Sequence, residues 1–218
     1  MAYHIDAENI SLGDLQKRIE ATDLVPSRTS ILEGLGAKMK SIEKQGITTL
    51  ADLRNELKTS KRLETLAKST GIGVDYLTLL RREIEGWFPK PPLLKDFDWL
   101  PKSEIAKLER DGIRDAAALH EATDSKSKRT ALAKSTGVDI ATLETFAQLV
   151  DLTRVQWTSP TAARMLLEAG CTGSAKLAKA DADELCEALA RVNAGNKFFK
   201  GRIGLRDVKR LILAASYV

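Results

Sequence analysis

Cysteine, histidine and aromatic residues are scarce in this chain of 218 residues, which has two cysteines, two histidines and 5% aromatic residues. Cys171 and Cys186 do not form a CxxC pair, so the sequence predicts no metal centre, and we expect two reduced thiols rather than a disulfide. No apolar run approaches the ~20 residues that a membrane-spanning helix requires. The polar N-terminus lacks the features of a signal peptide, so we expect a cytoplasmic protein without a membrane partner.

Patterns typical of catalysis are also missing. His4 lies near the N-terminus and His120 follows an ordinary helical segment, and no arrangement with serine, cysteine or aspartate suggests nucleophilic catalysis. The segment 71–73 contains two glycines, but it follows a predicted helix rather than a strand and lacks the lysine of a nucleotide-binding loop. We therefore expect a protein that is not an enzyme and that binds no cofactor.

Apolar residues make up 43% of the chain, and they recur at the three- and four-residue steps of amphipathic helices. Ser159 followed by Pro160 predicts a helix start, with serine as the N-cap and proline at the first helical position. Ser60 and Asp181 are expected to cap further helices, and residues 11–21 are expected to form one near the N-terminus. Because no segment alternates as a strand does, the sequence predicts an all-α fold.

One six-residue sequence occurs twice: Leu66–Gly71 reads LAKSTG, and Leu132–Gly137 repeats it letter for letter. Gly46 and Gly112 keep the same separation of 66 residues, and Gly170 corresponds to them at a shorter separation of 58. The first two are expected in a left-handed conformation after helix ends. A fixed period indicates stacked copies of one helical unit. Each copy ends in a helix with one apolar stripe, formed by Val74, Leu77, Leu80 and Ile84, by Ile140, Leu143, Phe146 and Val150, and by Leu205, Val208, Leu211 and Ala215.

The segment Ile31–Gly36, followed by a short helix and then by Gly46–Leu53, resembles a helix-hairpin-helix unit. Together with the two LAKSTG segments and residues 151–170, it makes the chain similar to DUF4332, an uncharacterised prokaryotic family of tandem helix-hairpin-helix-like proteins. The resemblance extends from about residue 24 to residue 215. It implies three tandem helix-hairpin-helix-like (SAM-like) repeats, and it implies no activity.

Proline content predicts where the chain divides. Residues 1–88 are expected to hold an N-terminal capping helix and repeat one. Three of the next four residues are prolines, which cannot continue a helix, so 89–96 is predicted to be a stiff linker. Only residues 151–154 separate copies two and three, and we therefore expect 97–218 to pack as one unit.

The first hairpin contains a candidate phosphate-binding turn. In a DNA-binding helix-hairpin-helix, a Gly-hydrophobic-Gly turn presents backbone N–H groups to a phosphate, and the following helix N-terminus adds a favourable partial charge. Gly34 and Gly36 enclose such a turn, and Lys38 and Lys40 follow it. These four residues are the candidate nucleic-acid-binding residues of repeat one.

The other two copies depart from this pattern. Residues 100–102 and 158–160 align with the turn, but they lack its glycines and each contains a proline, which removes an N–H donor. We therefore expect these two hairpins to serve packing. Trp99 and Trp157 lie beside them, and we interpret both rings as filling gaps between repeats in preference to stacking on a base.

Copy three contains seven additional residues within 196–204, and this insertion is the most basic and most aromatic short segment of the chain. Residues 191–210 include seven basic residues and a single acid, an imbalance that attracts phosphate backbones. The candidate nucleic-acid-binding residues here are Lys197, Phe198, Phe199, Lys200, Arg202 and Arg206. Two other interpretations stay open: the phenylalanines cap the open end of the last repeat, or the charges form a solvated face.

Two functions are consistent with these features. The leading hypothesis is a non-catalytic helical-repeat protein that binds the DNA or RNA backbone weakly and without sequence preference, through the hairpin turn and the basic insertion. The alternative is a scaffold for a protein partner, because stacked helical repeats readily present a groove and two of the three hairpins lack phosphate-binding features.

Overall fold

The computed structural model describes residues 2–218, which form thirteen α-helices, four short 3-10 helices and no β-strand, so the all-α prediction is confirmed. None of these helices is long and apolar enough to span a membrane. The α-helices are α1 (Leu12–Ala21), α2 (Leu35–Glu43), α3 (Leu50–Leu57), α4 (Ser60–Thr70), α5 (Val74–Glu85), α6 (Lys102–Arg110), α7 (Ala116–Thr123), α8 (Lys126–Thr136), α9 (Ile140–Leu152), α10 (Pro160–Glu168), α11 (Ser174–Leu177), α12 (Ala182–Val192) and α13 (Leu205–Ala215). The 3-10 helices are Ala7–Asn9, Pro26–Leu32, Leu94–Asp96 and Ala194–Asn196.

The helices form two compact units. The N-terminal unit is Asp6–Trp87, and the C-terminal unit is Phe88–Val218 together with residues 2–5. The prediction grouped residues 2–5 with repeat one, whereas the structure places Tyr3 in the core of the C-terminal unit. The Tyr3 hydroxyl donates a hydrogen bond to Thr153 Oγ1 at 3.0 Å, and Arg154 Nε donates to the Tyr3 carbonyl at 2.9 Å. These long-range bonds are the physical reason for the difference.

The proline-rich stretch 89–96 also differs from the predicted linker, because it is paired within the C-terminal unit. Leu94 is buried, and its backbone N–H donates to the Arg114 carbonyl at 3.0 Å. The Ala116 N–H donates to the Pro92 carbonyl at 2.8 Å. Proline favours an extended chain, and an extended chain leaves its carbonyl groups available for a neighbouring segment.

Local capping signals located most of the helix starts correctly. Ser159 accepts a hydrogen bond from Ala162 N at the start of α10, and Asp181 accepts from two N–H groups at the start of α12, as predicted. The Ser60 prediction was wrong by one residue. Thr59 is the N-cap of α4, because its backbone is extended and its hydroxyl accepts from Arg62 N, whereas Ser60 is already helical.

The repeated hexapeptide has the same local structure in both units. Gly71 ends α4 with φ 71° and Gly137 ends α8 with φ 70°. The hydroxyl group of the preceding threonine donates to a leucine carbonyl at 2.6 Å in each case. Gly46 and Gly112 are left-handed, with φ of 81° and 88°, as predicted for residues after helix ends. The arrangement as three helix-hairpin-helix repeats stays a prediction.

In α5 and α9 the predicted apolar stripes are buried except at the first residue of each helix, and in α13 the stripe is only partly buried. In α5 and α9, the side chains at the second, third and fourth stripe positions lie in the cores. Val74 and Ile140 are exposed, which corrects the prediction for these two positions. Each is the first residue of its helix, at the edge of the core. In α13, Leu205 and Leu211 are half-buried.

Candidate nucleic-acid interface

The ten candidate residues belong to two different units. The four hairpin residues lie in the N-terminal unit, and the six residues of the insertion lie in the C-terminal unit. They therefore form two candidate surfaces, which we call the hairpin turn (residues 33–40) and the basic loop (residues 196–204 with the start of α13).

The hairpin turn joins the 3-10 helix Pro26–Leu32 to α2. Gly34 is the N-cap of α2 and has φ 63°, a left-handed conformation that glycine adopts without steric cost. Because glycine has no side chain, Gly34 does not cap the helix. The first backbone N–H groups of α2 therefore receive no side-chain acceptor from the N-cap residue. This geometry is compatible with the predicted approach of an anion to the start of α2.

Lys38 is directed back across the turn. Its ammonium group donates a hydrogen bond to the Glu33 carbonyl and lies 4.0 Å from the centroid of the Tyr76 ring. The Tyr76 hydroxyl in turn donates to the Ile31 carbonyl at 2.7 Å. Lys38 therefore stabilises the turn, whereas Lys40 is exposed and forms no ion pair within residues 2–218.

Gly36 lies in the first turn of α2, beside the end of the Gln16 side chain. A Cβ atom at this position would lie 3.2 Å from Nε2 of Gln16, closer than nine in ten observed contacts of this type. Gln16 belongs to α1, which packs against α2. A side chain at position 36 would therefore require the flexible Gln16 amide to shift by a few tenths of an ångström.

The basic loop is organised by Asn193, a residue that the sequence analysis did not identify. The Asn193 side-chain oxygen accepts hydrogen bonds from the N–H groups of Phe198 and Phe199, both at 3.0 Å. Its amide nitrogen donates to the Phe199 carbonyl, also at 3.0 Å. The Asn193 side chain, at the end of α12, thus accepts two hydrogen bonds from the two phenylalanines and donates one. These bonds fix the conformation of the aromatic part of the loop.

The two phenylalanines of the loop have different environments. Phe198 packs against the core of the C-terminal unit, which agrees with the interpretation of the loop as a cap. Phe199 is 51% exposed and is one of the most exposed large apolar residues among those described. Of these two phenylalanines, Phe199 is therefore the one that presents its ring to solvent.

The basic residues of this segment differ in their ion pairs. Lys197 donates to Glu168 at 2.9 Å, and Arg191 lies 3.6 Å from Glu187. Hydrogen bonds from Lys197, and then from Arg164, hold the pKa of the Glu168 carboxyl below its usual value. The exposed basic residues that form no ion pair within residues 2–218 are Lys200, Arg202 and Lys209. The positive charge available to a partner therefore comes from these three residues.

Arg164 on α10 forms a second aromatic–basic contact that the sequence did not predict. Its guanidinium carbon lies 5.1 Å from the centroid of the Trp99 ring and 5.2 Å from that of Phe198. Trp99 is half-buried and contacts Phe97 edge-on at 5.7 Å. The expectation that Trp99 packs in preference to binding a base is in keeping with this environment.

Trp157 does not fill a gap, which corrects the expectation for this residue. Its side chain is 47% exposed, and its backbone has φ 67°. The guanidinium carbon of Arg210, on α13, lies 4.7 Å from the centroid of the indole ring. The alignment with Trp99 suggested a common role, but the left-handed backbone at Trp157 directs the ring outward.

A family model describes the region that contains these features. The model for the domain of unknown function DUF4332 matches residues 100–217, which is more than half of the chain. The chain belongs to this family. No curated protein and no solved structure matched it.

The DUF4332 region contains the basic loop, Trp157 and the helices that position them, and the hairpin turn lies outside the matched residues. Cys171 and Cys186 also lie in this region. Both are free thiols, as the sequence predicted. Burial raises the pKa of the Cys171 thiol above its usual value. A raised pKa keeps the thiol protonated and unreactive.

The DUF4332 region also has a cleft of about 610 Å³ lined by residues of α7, α8, α9 and α11. Asp151 lines this cleft, and one of its carboxylate oxygens accepts a hydrogen bond from Arg154 at 2.6 Å. The other oxygen accepts from the N–H and the hydroxyl of Ser174, at 2.7 and 2.9 Å. With both oxygens occupied, Asp151 joins α9 to α11 and is a structural residue rather than a free base.

Proposed function

We propose that this DUF4332 protein is a non-catalytic nucleic-acid-binding protein, and that the basic loop with the neighbouring surface of α13 is its main contact. The observation that carries the proposal is the combination, on one segment, of cations that form no ion pair within residues 2–218 with an exposed aromatic ring. Lys200, Arg202 and Lys209 provide the charge, and Phe199 provides a ring. Cations attract the phosphate backbone, and exposed rings stack on unpaired bases.

The proposed binding does not depend on sequence. Phosphate contacts by lysine and arginine position a nucleic acid without reading its bases, and stacking tolerates every base because each has a π-face. The net charge of the chain is only +4, so the affinity is expected to be weak and to depend on the local cluster rather than on the whole surface.

The hairpin turn is proposed as a secondary contact. Gly34 has the left-handed conformation that such a turn requires, and Lys40 is exposed beside it. The commitment of Lys38 to the Glu33 carbonyl leaves only one exposed lysine next to the turn. We therefore expect substitutions here to weaken binding less than substitutions in the basic loop.

The test compares two double variants that remove the same charge from the C-terminal unit. Lys200→Gln with Arg202→Gln removes two cations from the basic loop, and Lys126→Gln with Lys134→Gln removes two exposed cations from α8, which packs against α7 and α9. Affinity for a labelled single strand at low salt is measured by fluorescence anisotropy. The loop variant is expected to bind at least about tenfold more weakly, and the α8 variant to retain wild-type affinity.

Equal losses in the two variants would contradict the assignment to the loop, because they would show that only net charge matters. Undetectable binding by the wild type at low salt would contradict the function itself. Circular dichroism of each variant checks that the helices are intact, which is expected because all four side chains are exposed.

The alternative is a scaffold that binds a protein partner. It is supported by the hydrogen bond of Lys38 to the Glu33 carbonyl, since this lysine then has a structural role without a phosphate. Affinity purification with and without nuclease separates the two functions. A partner that remains bound after nuclease treatment favours the scaffold, and a partner that is lost favours nucleic-acid binding.

A further inference from the structure

Trp157 occupies a strained position in a turn. The Thr158 N–H donates to the Val155 carbonyl at 3.1 Å, which closes a turn with Trp157 as its third residue. The φ of 67° at Trp157 is characteristic of glycine at this place in a turn and is uncommon for a bulky residue. A glycine would relieve the strain, so the folding of the turn does not explain why tryptophan is present.

Burial does not explain the tryptophan either. Almost half of its surface is in contact with solvent, whereas Val155, Gln156 and Thr158 on either side are buried. The flanking residues anchor the turn, and the ring is presented outside it. A large apolar ring that is exposed on a well-anchored turn contributes little to the core.

Arg210 fixes the position of the indole ring. Its guanidinium carbon lies 4.7 Å from the ring centroid, within the range of a cation–π contact. The Arg210 Nε atom is buried and forms no hydrogen bond within residues 2–218. Nε2 of Gln156 and Oγ1 of Thr158 are also buried without a hydrogen-bond partner in that part of the chain.

A strained backbone and a cation–π contact therefore coincide at a single exposed ring. Backbone strain opposes folding, and strained residues are concentrated at sites that contact ligands. Strain together with exposure distinguishes Trp157 from Phe199, which is exposed but has no strained backbone.

We propose that Trp157 is a stacking platform for one unpaired nucleobase. The base covers the exposed surface of the indole ring. Arg210, whose guanidinium group already contacts the ring, attracts the phosphate next to the stacked base. This inference rests on the proposed function and makes it specific, because it assigns a single-stranded ligand. A base pair within a duplex has no free face and would not be accepted.

The experiment uses two oligonucleotides with the same backbone. One is an oligothymidylate of about 12 nucleotides, within the usual site sizes for single-strand binding, and the other has the same length but consists of abasic residues. Both carry the same phosphates, so the ratio of their dissociation constants measures the contribution of the bases alone. For the full-length wild type we expect the oligothymidylate to bind about tenfold or more tightly.

The decisive variant is Trp157→Gly, which removes the ring and relieves the strained φ. Its thermal stability is therefore expected to equal or exceed that of the wild type, so that lost binding cannot be attributed to unfolding. The ratio between the two oligonucleotides is expected to fall severalfold, with the part that remains supplied by Phe199, while weak salt-dependent binding to both remains. Trp157→Phe, which retains an aromatic ring, is expected to preserve part of the ratio.

The control is Leu93→Ala, which removes an exposed apolar side chain from the same unit without removing an aromatic ring. It is expected to leave the ratio unchanged. An unchanged ratio in Trp157→Gly would overturn the stacking inference and leave the proposed function intact. Equal binding of the two oligonucleotides by the wild type would overturn stacking on Trp157 and on Phe199 alike, and would leave only the phosphate contacts of the proposed function. Absence of binding to either oligonucleotide at low salt would overturn both the stacking inference and the proposed function.

Discussion

Glycine positions show how backbone conformation acts at the scale of a single residue. Gly71 and Gly73 lie two residues apart between α4 and α5, and a Cβ atom at either position would meet nothing within 4 Å. Gly71 has φ 71°, whereas Gly73 has φ −60°. The two positions therefore differ in backbone strain and not in available space.

This difference leads to a stability prediction. Gly71→Ala forces an L-residue into the left-handed region and is expected to lower the free energy of unfolding by about 1–2 kcal/mol. Gly73→Ala is expected to change it by less than about 1 kcal/mol, since its conformation is available to alanine. Urea unfolding of both variants measures the difference, and equal effects would contradict the left-handed assignment of Gly71.

His120 is a residue through which stability is expected to depend on pH between about 5 and 7. Burial, and secondly the positive charge of Arg154, lower the pKa of its imidazole below the usual value of 6.5. In the folded protein the ring therefore stays neutral at pH values at which the unfolded chain binds a proton. The free energy of unfolding is expected to decrease as the pH falls below about 6.5, by at most about 1.4 kcal/mol per pH unit from this group.

The substitution His120→Gln tests this dependence, because glutamine is polar and does not titrate. Urea unfolding at pH 7 and at pH 5.5 gives the loss of stability for each protein. We expect a smaller loss in the variant than in the wild type, whatever its stability at neutral pH. If both proteins lose the same amount between these pH values, the lowered pKa of His120 is not a determinant of acid stability.

At the scale of the helix, the apolar stripe of α9 separates buried from exposed positions. Leu143 is completely buried, and Ile140, one turn earlier on the same stripe, is 41% exposed. Leu143→Ala is expected to cost about 2–5 kcal/mol, because it leaves a cavity in the core. Ile140→Ala removes a similar volume at the rim and is expected to cost about 1 kcal/mol or less.

Thermal or urea unfolding of these two variants provides the measurement. The comparison is matched, because both residues lie on α9 and both changes remove branched aliphatic carbons. Similar costs for both would contradict the observed burial. Leu77 and Val74 on α5 have the corresponding burial and exposure and offer the same comparison in the N-terminal unit.

Helix starts were predictable from the sequence because capping is local. Ser159 and Asp181 each bond to N–H groups within three residues, so the signal and its structural result lie in one short segment. The outward ring of Trp157 was not predictable in this way. Its position depends on the left-handed turn and on Arg210, which is more than 50 residues away in the sequence.

At the scale of the whole molecule, the same distinction explains the division of the chain. The break near residue 88 was visible as a cluster of prolines, and the structure separates Trp87 from Phe88. The placement of residues 2–5 was not visible, because it depends on contacts between Tyr3 and residues 150 positions later. Sequence patterns indicate segments, whereas contacts across long separations decide which segments belong together.

The candidate site shows this limit as well. Charge and aromatic content identified the basic loop, but they did not distinguish Lys197, which is paired with Glu168, from Lys200, which has no ion pair within residues 2–218. Nor did they distinguish the packed Phe198 from the exposed Phe199. Within the loop the structure distinguishes Phe199 by its exposed ring and Lys200 and Arg202 by the lack of an ion pair within residues 2–218, and it adds Trp157 and Arg210.

The most direct test of the account is the affinity of the wild-type protein for an unstructured single strand across a series of salt concentrations. Binding through a few cations predicts that the logarithm of the association constant falls linearly with the logarithm of the salt concentration, with a slope of about −0.7 for each phosphate contacted. With Lys200, Arg202 and Lys209 as the contacts, we expect a slope near −2. Binding that is undetectable at low salt, or that does not weaken as salt increases, would contradict the central claim.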